Sequence, residues 1–184
     1  MDSLVIVDCQ YDFIDGSLAC SGSHEAVAYL INFINRHEME VLYTSDWHSP
    51  ANRSFKVNGG IWPIHCVAGE KGSALDRHFF ADIIDVKNRP NEENIFHKGM
   101  DDIVEEYSAF HGINKKGIPL GTMVTDHVYV GGIASEYCIK ETVFELLKDG
   151  HKVTLLVKGL GYVDYNGHLA AIDAMKKLGV EILE

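Results

Sequence analysis

Short apolar runs alternate along this chain with segments in which apolar residues recur every three or four positions. A short continuous apolar run predicts a strand buried on both faces, whereas recurrence at helical spacing predicts an amphipathic helix. The predicted strands are residues 4–7, 40–44, 83–87, 94–97, 128–131, 153–157 and 180–183. Helices are predicted at residues 25–36 and 136–149, and a third ends at residue 177.

Polar residues predict where each helix begins. Ser23, Ser135 and Asn166 stand where a side-chain oxygen can accept from the first backbone N–H groups of the three helices. In the last helix, Leu169 and Met175 fall on the predicted inward face. Residues 104–121 predict a short helix with turns. Residues 45–82 are long, polar and irregular, and a loop of that length in a compact domain is usually functional or disordered.

Strands that alternate with helices predict a parallel sheet with right-handed crossovers and helices on both faces. We therefore expect an α/β fold of three layers, α/β/α, with a central, mainly parallel sheet of about six strands. The length of 184 residues fits a single domain over residues 1–184. In such folds ligands bind at the carboxyl ends of the strands, so residues that follow the strands are candidates for a site.

Net charge and cysteine content indicate which kinds of binding partner the chain can have. The net charge of −11 leaves no basic surplus for phosphates, so we expect no nucleic acid and no membrane partner. No apolar run reaches transmembrane length and no signal peptide is recognisable. The four cysteines show no metal-pair or disulfide spacing, which favours a cytoplasmic location. A small-molecule substrate is the expected partner, and a homo-oligomer stays open.

A carboxylate and two histidines form a candidate metal site. Asp46 and His48 lie two positions apart where a strand ends, so their side chains point the same way. His65 lies in the same long loop, in a turn that contains tryptophan and proline. One carboxylate and two imidazoles suit one divalent ion, with zinc expected and iron or manganese as alternatives. An ordinary surface pair of Asp46 and His48 is the competing interpretation.

An aspartate, a lysine and a cysteine follow other predicted strand ends. Asp8 follows the first strand, Lys98 follows residues 94–97, and Cys138 lies in the first turn of helix 136–149. A helix N-terminus lowers the pKa of a thiol and favours a nucleophile; a buried structural cysteine is the alternative. Moving a proton from an ordinary thiol to an ordinary aspartate is uphill by roughly 6 kcal/mol. Burial of Asp8 and the ammonium of Lys98 would narrow that gap.

These motifs resemble one family from end to end of the chain. The chain is similar to the nicotinamidase branch of the isochorismatase-like cysteine hydrolase superfamily. The matching segments are VDCQYDF at 7–13, DWH at 46–48, WPIHC at 62–66, KG at 98–99, EYSAF at 106–110 and GGIASEYCIKET at 131–142. The WPIHC segment together with DWH resembles the metal-dependent branch; the Asp, Lys and Cys positions alone indicate only the superfamily.

The resemblance implies an isochorismatase-like hydrolase fold and a set of roles. Asp8 would be the general base, Cys138 the nucleophile and Lys98 the third catalytic residue. Further implied residues are the metal ligands Asp46, His48 and His65, the oxyanion donors Ala134 and Cys138, and the substrate contacts Phe13, Trp62, Tyr107 and Ile133. The peptide bond between Ile133 and Ala134 would be cis.

The resemblance also implies an activity. It is hydrolysis of nicotinamide to nicotinate and ammonia through a cysteine thioester, as part of NAD salvage, with pyrazinamide accepted as an analogue. Many relatives carry a further His or Glu ligand shortly after the Asp-x-His motif. Residues 49–55 (SPANRSF) offer only Asn52 and Arg53 in that region, so we expect three protein ligands with water filling the remaining positions.

Three other functions stay open on the sequence. The chain could be another amidase of the superfamily, acting on carbamoyl or ureido substrates. It could be a metallohydrolase in which a metal-bound hydroxide attacks and Cys138 is structural. A non-enzymatic member of the fold, with a zinc-binding or scaffold role, would be expected to lack Asp8, Lys98 or Cys138, and all three are present.

Overall fold

The computed structural model describes residues 1–184, and its centre is one parallel sheet. The six strands are β1 (Ser3–Val7), β2 (Glu40–Asp46), β3 (Ile95–Lys98), β4 (His127–Gly132), β5 (Lys152–Leu160) and β6 (Glu181–Leu183). They pair in the order β3-β2-β1-β4-β5-β6, and every neighbouring pair is parallel. The predicted α/β fold with a parallel sheet of about six strands is confirmed.

Five α-helices accompany the sheet: α1 (Tyr11–Ile14), α2 (Ser23–Arg36), α3 (His78–Ala81), α4 (Lys140–Lys148) and α5 (Tyr165–Lys177). A π-helical turn, Ser135–Ile139, leads directly into α4. Short 3₁₀ helices lie at Lys56–Asn58, Lys71–Ser73, Val86–Asn88 and Leu120–Thr122. None of these helices is long and apolar enough to span a lipid bilayer.

Alternate residues of β1 pack on opposite faces of the sheet. Leu4 and Ile6 lie in the apolar cluster that also contains Leu30 of α2. Val5 and Val7 lie in a second cluster, which contains the inward residues of α4 and α5. Because β1 is central and buried on both faces, its sequence is a nearly continuous run of apolar residues. Full burial of each such side chain stabilises the fold by about 1.5–3 kcal/mol.

Residues 83–87 were predicted to form a strand, and the structure shows that this prediction is wrong. Ile83 is buried, but Ile84 is 77% exposed and Val86 is 68% exposed. The carboxylate of Asp85 accepts a hydrogen bond from the backbone N–H of Lys87 at 3.1 Å and starts a 3₁₀ turn there. A local side-chain bond of this kind turns the backbone away from an extended conformation. In residues 104–121, where a short helix with turns was predicted, the only helical turn is the 3₁₀ helix Leu120–Thr122 at the end of the range.

The predicted helix caps also need correction. Ser23 is the first residue of α2 rather than its cap, and its hydroxyl donates to the carbonyl of Cys20 at 2.9 Å. Asp164, not Asn166, caps α5, because its carboxylate accepts from the N–H of Gly167 at 2.7 Å. Leu169, predicted to face inward, is 48% exposed. The predicted cap Ser135 begins the π-helical turn, and no side chain caps that turn.

The sheet order brings the polar strand ends together. Strands β3, β2, β1 and β4 are consecutive neighbours, so their carboxyl ends lie side by side. Asp8 directly follows β1, Asp46 ends β2 and Lys98 ends β3, where it is the register partner of Asp46. Gly132 ends β4 close to β1: a Cβ there would lie 2.0 Å from the carbonyl oxygen of Val7. Only glycine allows this approach, which sets the start of the turn that carries Cys138.

Candidate active site

Lys98 lies at the centre of the candidate site. Its side chain is fully buried, its Nζ lies 2.9 Å from Asp8 Oδ2, and it forms a second ion pair with Asp46 Oδ1. The same Nζ lies 3.4 Å from Cys138 Sγ. Burial lowers the pKa of Lys98, but the two carboxylates outweigh burial and raise the net pKa well above its usual range. The predicted Asp, Lys and Cys side chains therefore meet around one buried ammonium.

The two carboxylate oxygens of Asp8 differ in their contacts: one accepts a hydrogen bond, and the other is free to accept a proton. Its Oδ1 accepts a hydrogen bond from the Thr44 hydroxyl at 2.6 Å. Its Oδ2 lies near Lys98 but accepts no hydrogen bond of ordinary geometry. Burial raises the pKa of Asp8, although the charge of Lys98 opposes the shift. One oxygen each of Asp8 and Asp46 and the sulfur of Cys138 lie within 4.8 Å of one another, so the Asp8 carboxylate is close enough to serve as a proton acceptor for the thiol.

Cys138 lies in the π-helical turn, which follows a cis peptide bond between Ile133 and Ala134. The side chain is nearly inaccessible, at 6% exposure for the residue. Burial raises the pKa of the Cys138 thiol well above its usual range, and the charge of Lys98 only partly offsets it. The prediction of a lowered thiol pKa is therefore wrong, because desolvation outweighs the helix end and the ammonium. Cys138 rests as a neutral thiol that needs a base.

The three predicted metal ligands also converge. Asp46 Oδ2 lies 3.5 Å from His48 Nε2 and 3.9 Å from His65 Nε2, and all three residues are buried. His48 Nδ1 is 2.7 Å from the carbonyl of Gly99, and His65 Nδ1 is 2.8 Å from the carbonyl of Pro63. Each Nδ1 therefore donates its proton to a carbonyl, which turns the lone pair of each Nε2 toward Asp46.

This donor set fits a divalent cation. Three acceptor atoms facing one another in a buried space repel unless a positive charge lies between them. Burial lowers the pKa of His65, which keeps it as the neutral imidazole that a metal requires. Burial also opposes protonation of His48, but the adjacent Asp46 carboxylate raises its pKa overall, and a bound metal would take the place of that proton. The residues present can hold a metal with one carboxylate and two imidazoles.

Asn52 does not take part as a ligand in this arrangement. Its amide nitrogen lies 3.3 Å from the carbonyl of Gly99 and 3.2 Å from that of Asp101. Its amide oxygen accepts from the N–H of Ser54 at 2.9 Å. Arg53 is exposed. Both ends of the Asn52 amide are therefore used to fold the loop around His48, and the expectation of three protein ligands stays consistent with the structure.

Cys138 and the histidine cluster line the same cavity. Phe13, Trp62 and Tyr107, the predicted substrate contacts, are among its walls. Tyr137, which the sequence did not single out, packs 5.0 Å from the Trp62 ring and 5.5 Å from the Tyr107 ring. Ile133, the fourth predicted substrate contact, does not line the cavity, because its side chain is fully buried in the core.

Two further residues support the site, and the sequence patterns did not predict a role for either of them. Gln10 is fully buried; its amide nitrogen donates to the Asp46 carbonyl at 2.9 Å, and its amide oxygen accepts from the Asp46 N–H at 2.8 Å. Glu105 accepts from Trp62 Nε1 at 2.9 Å and from the Tyr107 hydroxyl, so it joins two cavity walls. The hydrogen-bond partners of Gln10 and Glu105 lie dozens of residues away along the chain or in an irregular loop. Residue spacing therefore does not predict these contacts.

A buried acid, amine and thiol lie beside a carboxylate–histidine cluster at the carboxyl ends of a parallel sheet, and this arrangement is suited to a hydrolase. Comparison with protein families agrees, since the isochorismatase domain matches residues 2–184. The chain belongs to the isochorismatase domain family. It is 31% identical to the nicotinamidase/pyrazinamidase of Mycobacterium tuberculosis over 195 aligned positions, which cover 100% of this chain and 98% of the relative.

Solved structures show the same similarity. The pyrazinamidase of Pyrococcus horikoshii in complex with zinc superposes with a TM-score of 0.83 at 29% identity, covering 100% of this chain and 98% of that one. PnC1 from L. infantum in complex with nicotinate superposes with a TM-score of 0.82 at 29% identity, covering 100% of this chain and 92% of that one. The fold, the buried cluster and the relatives together make this chain an amide hydrolase.

Proposed function

We propose that this protein is a metal-dependent nicotinamidase, which hydrolyses nicotinamide to nicotinate and ammonia and accepts pyrazinamide as an analogue. The observation that carries the proposal is that Cys138 and the cluster of Asp46, His48 and His65 line one aromatic cavity, with Lys98 touching both. Relatives named nicotinamidases and neighbours solved with zinc and with nicotinate support the assignment. The reaction would return nicotinamide to NAD salvage.

The cavity suits a flat, neutral aromatic amide. Phe13, Trp62, Tyr107 and Tyr137 supply ring faces and edges, against which aromatic rings pack favourably. The metal would be held by Asp46, His48 and His65, with zinc expected and iron or manganese as alternatives. When bound, it would supply a Lewis-acidic position for the pyridine nitrogen and so orient the ring. The carboxamide would then face Cys138.

Asp8, Cys138 and Lys98 would carry the covalent chemistry. Asp8 takes the proton of the Cys138 thiol, and the sulfur attacks the carboxamide carbon to form a tetrahedral oxyanion. The N–H groups of Ala134 and Cys138 would stabilise that oxyanion; in support, the Ala134 N–H donates to no backbone carbonyl. Asp8 returns its proton to the nitrogen, ammonia leaves, and a thioester remains. Asp8 then accepts a proton from water, which attacks the thioester carbon. The C–S bond breaks, nicotinate is released, and Asp8 returns the proton to the Cys138 sulfur.

Ammonia release from nicotinamide by the purified protein tests the proposal. We expect turnover that is lost with a chelator and restored by Zn²⁺, and that falls by more than about 10³-fold in Cys138→Ala. Cys20→Ala is the matched control, because Cys20 lines the same cavity and does not contact Lys98; it should keep turnover near that of the unmodified protein.

Two outcomes would contradict the proposal. Absence of ammonia release under every metal loading would exclude nicotinamide hydrolysis, and release from carbamoyl or ureido compounds instead would favour another amidase of the superfamily. Turnover that survives in Cys138→Ala would exclude the thioester route and favour attack by a metal-bound hydroxide.

A further inference from the structure

Only two buried side-chain polar atoms in the chain have no hydrogen-bond partner: Asp8 Oδ2 and Ser54 Oγ. Buried polar atoms in folded proteins are nearly always paired, so an orphaned atom points to a water, an ion or a ligand that binds there. The free oxygen of Asp8 is explained by its place beside the reactive thiol. The hydroxyl of Ser54 has no such explanation within the protein.

The position of Ser54 is fixed by its backbone. Its N–H donates to Asn52 Oδ1 at 2.9 Å, and its carbonyl accepts from the N–H of Trp62 at 3.0 Å. Gly60 packs directly on the same carbonyl, since a Cβ at Gly60 would lie 2.1 Å from it. The loop therefore holds Ser54 in place without using its side chain.

Ser54 lies beside the metal-type cluster. The next residue, Phe55, packs edge-on against His48 at 5.6 Å and against His65 at 5.3 Å between ring centroids. Ser54 lines the same cavity as Asp46 and both histidines and is 8% exposed. The unpaired hydroxyl thus belongs to a residue that lines the same cavity as the three candidate ligands.

We propose that the Ser54 hydroxyl is the hydrogen-bond partner of a water that completes the coordination of the divalent cation at Asp46, His48 and His65. The inference rests on the proposed metal site. Three protein ligands leave open positions, and a water bound to a cation is a strong hydrogen-bond donor that needs an acceptor. A neutral serine hydroxyl is a poor ligand by itself but a good acceptor for that water.

Zinc affinity measured without substrate tests this role. Metal-free protein is titrated with Zn²⁺ in competition with a chromophoric chelator, for the unmodified chain, Ser54→Ala and Ser49→Ala. Loss of a residue that orients a metal's water typically weakens binding by 10- to 100-fold. We expect about tenfold weaker Zn²⁺ binding in Ser54→Ala. Ser49 is the control because it lies on the same loop but its hydroxyl bonds Asp102 at 2.6 Å; its variant should bind within about twofold of the unmodified chain.

A second readout separates this role from a structural one. In metal-free protein, Ser54→Ala removes an unpaired buried hydroxyl, so the melting temperature should stay the same or rise. With Zn²⁺ bound, the increase in melting temperature should be smaller than in the unmodified chain. A hydroxyl that only stabilises the fold would instead lower the melting temperature of the metal-free protein, and that result would overturn the inference.

Equal Zn²⁺ affinity in Ser54→Ala and the unmodified chain would also overturn the inference while leaving the metal site intact. Failure of the unmodified chain to bind Zn²⁺ would overturn both the metal site and the role of Ser54. If Ser54 controls Zn²⁺ affinity but nicotinamide is not hydrolysed, the inference stands and the proposed activity alone fails.

Discussion

Replacing Lys98 with methionine should cost far more stability than removing any surface charge. Lys98 is the only lysine or arginine that pairs with Asp8 or Asp46, and all three side chains are buried. Methionine keeps the length and the apolar stem of the side chain but leaves two buried carboxylates without their cation. Breaking a buried ion pair by removing one partner costs about 3–5 kcal/mol, because the remaining charge stays desolvated.

The cost should depend on pH in a definite direction. Burial already raises the pKa of Asp8 above its ordinary value of 3.8, so the folded protein binds a proton there more readily than the unfolded chain does. Without Lys98, which opposes that shift, the folded-state pKa rises further. A group with a raised pKa destabilises the fold as pH increases through the window between the two values. The deficit of Lys98→Met should therefore be largest near neutral pH and shrink as pH falls toward 4.

Urea unfolding of metal-free protein, followed by circular dichroism, measures this deficit. Lys87→Met is the matched control, because Lys87 pairs with Asp85 at 3.2 Å while 58% and 51% of the two side chains are exposed; such pairs contribute about 0–1 kcal/mol. Adding Asp8→Asn to Lys98→Met should recover part of the loss, since one buried charge is removed. Equal costs for Lys98→Met and Lys87→Met would show that the buried ammonium does not compensate the carboxylates.

Two further substitutions probe how the site is held. Gly99→Ala should weaken Zn²⁺ binding and lower the urea midpoint of unfolding, because a Cβ at Gly99 would lie 2.4 Å from the His48 ring. Gly117→Ala is the control: Gly117 has a similar backbone angle, and a Cβ there would meet no other atom, so Zn²⁺ binding should stay unchanged. Glu136→Met should raise the KM for nicotinamide and cost about 1–3 kcal/mol, because it leaves two backbone N–H groups unpaired. Those N–H groups donate to Glu136 at 2.8 and 2.7 Å and belong to the loop that carries the cavity-lining Val163. Glu141→Met is its control, because the Glu141 side chain is 42% exposed and pairs with Lys140 at the surface of α4. Equal KM values for the two variants would exclude this role.

The parallel sheet could be predicted because its central strands carry their signal locally. All residues of β1 are buried, and in β4 only His127 and Tyr129 are partly exposed, so both strands contain apolar runs whatever their neighbours are. Once four such strands are placed side by side, the residues that follow them meet at one edge. Asp8, Asp46 and Lys98 were therefore predictable as a group from their positions after strands.

The false strand at 83–87 shows where this reasoning fails. Its apolar residues satisfy a strand pattern, but a single short-range bond from Asp85 turns the backbone first. The prediction of helix starts fails for the same reason. Ser23, Asp164 and Asn166 all have side chains that can cap a helix, and other contacts decide which of them acts as a cap. Sequence patterns thus locate apolar segments better than they locate the ends of those segments.

The pKa of Cys138 could not be predicted from its local context. The sequence places the thiol at a helix start near a lysine, and both features favour a thiolate. The fold also buries the sulfur against Asp8 and Asp46, whose charges and desolvation act in the opposite direction and prevail. The same burial raises the pKa of Asp8 and turns it into a better base. Burial therefore keeps the nucleophile protonated until a base removes its proton, and that makes Asp8 indispensable to the proposed chemistry.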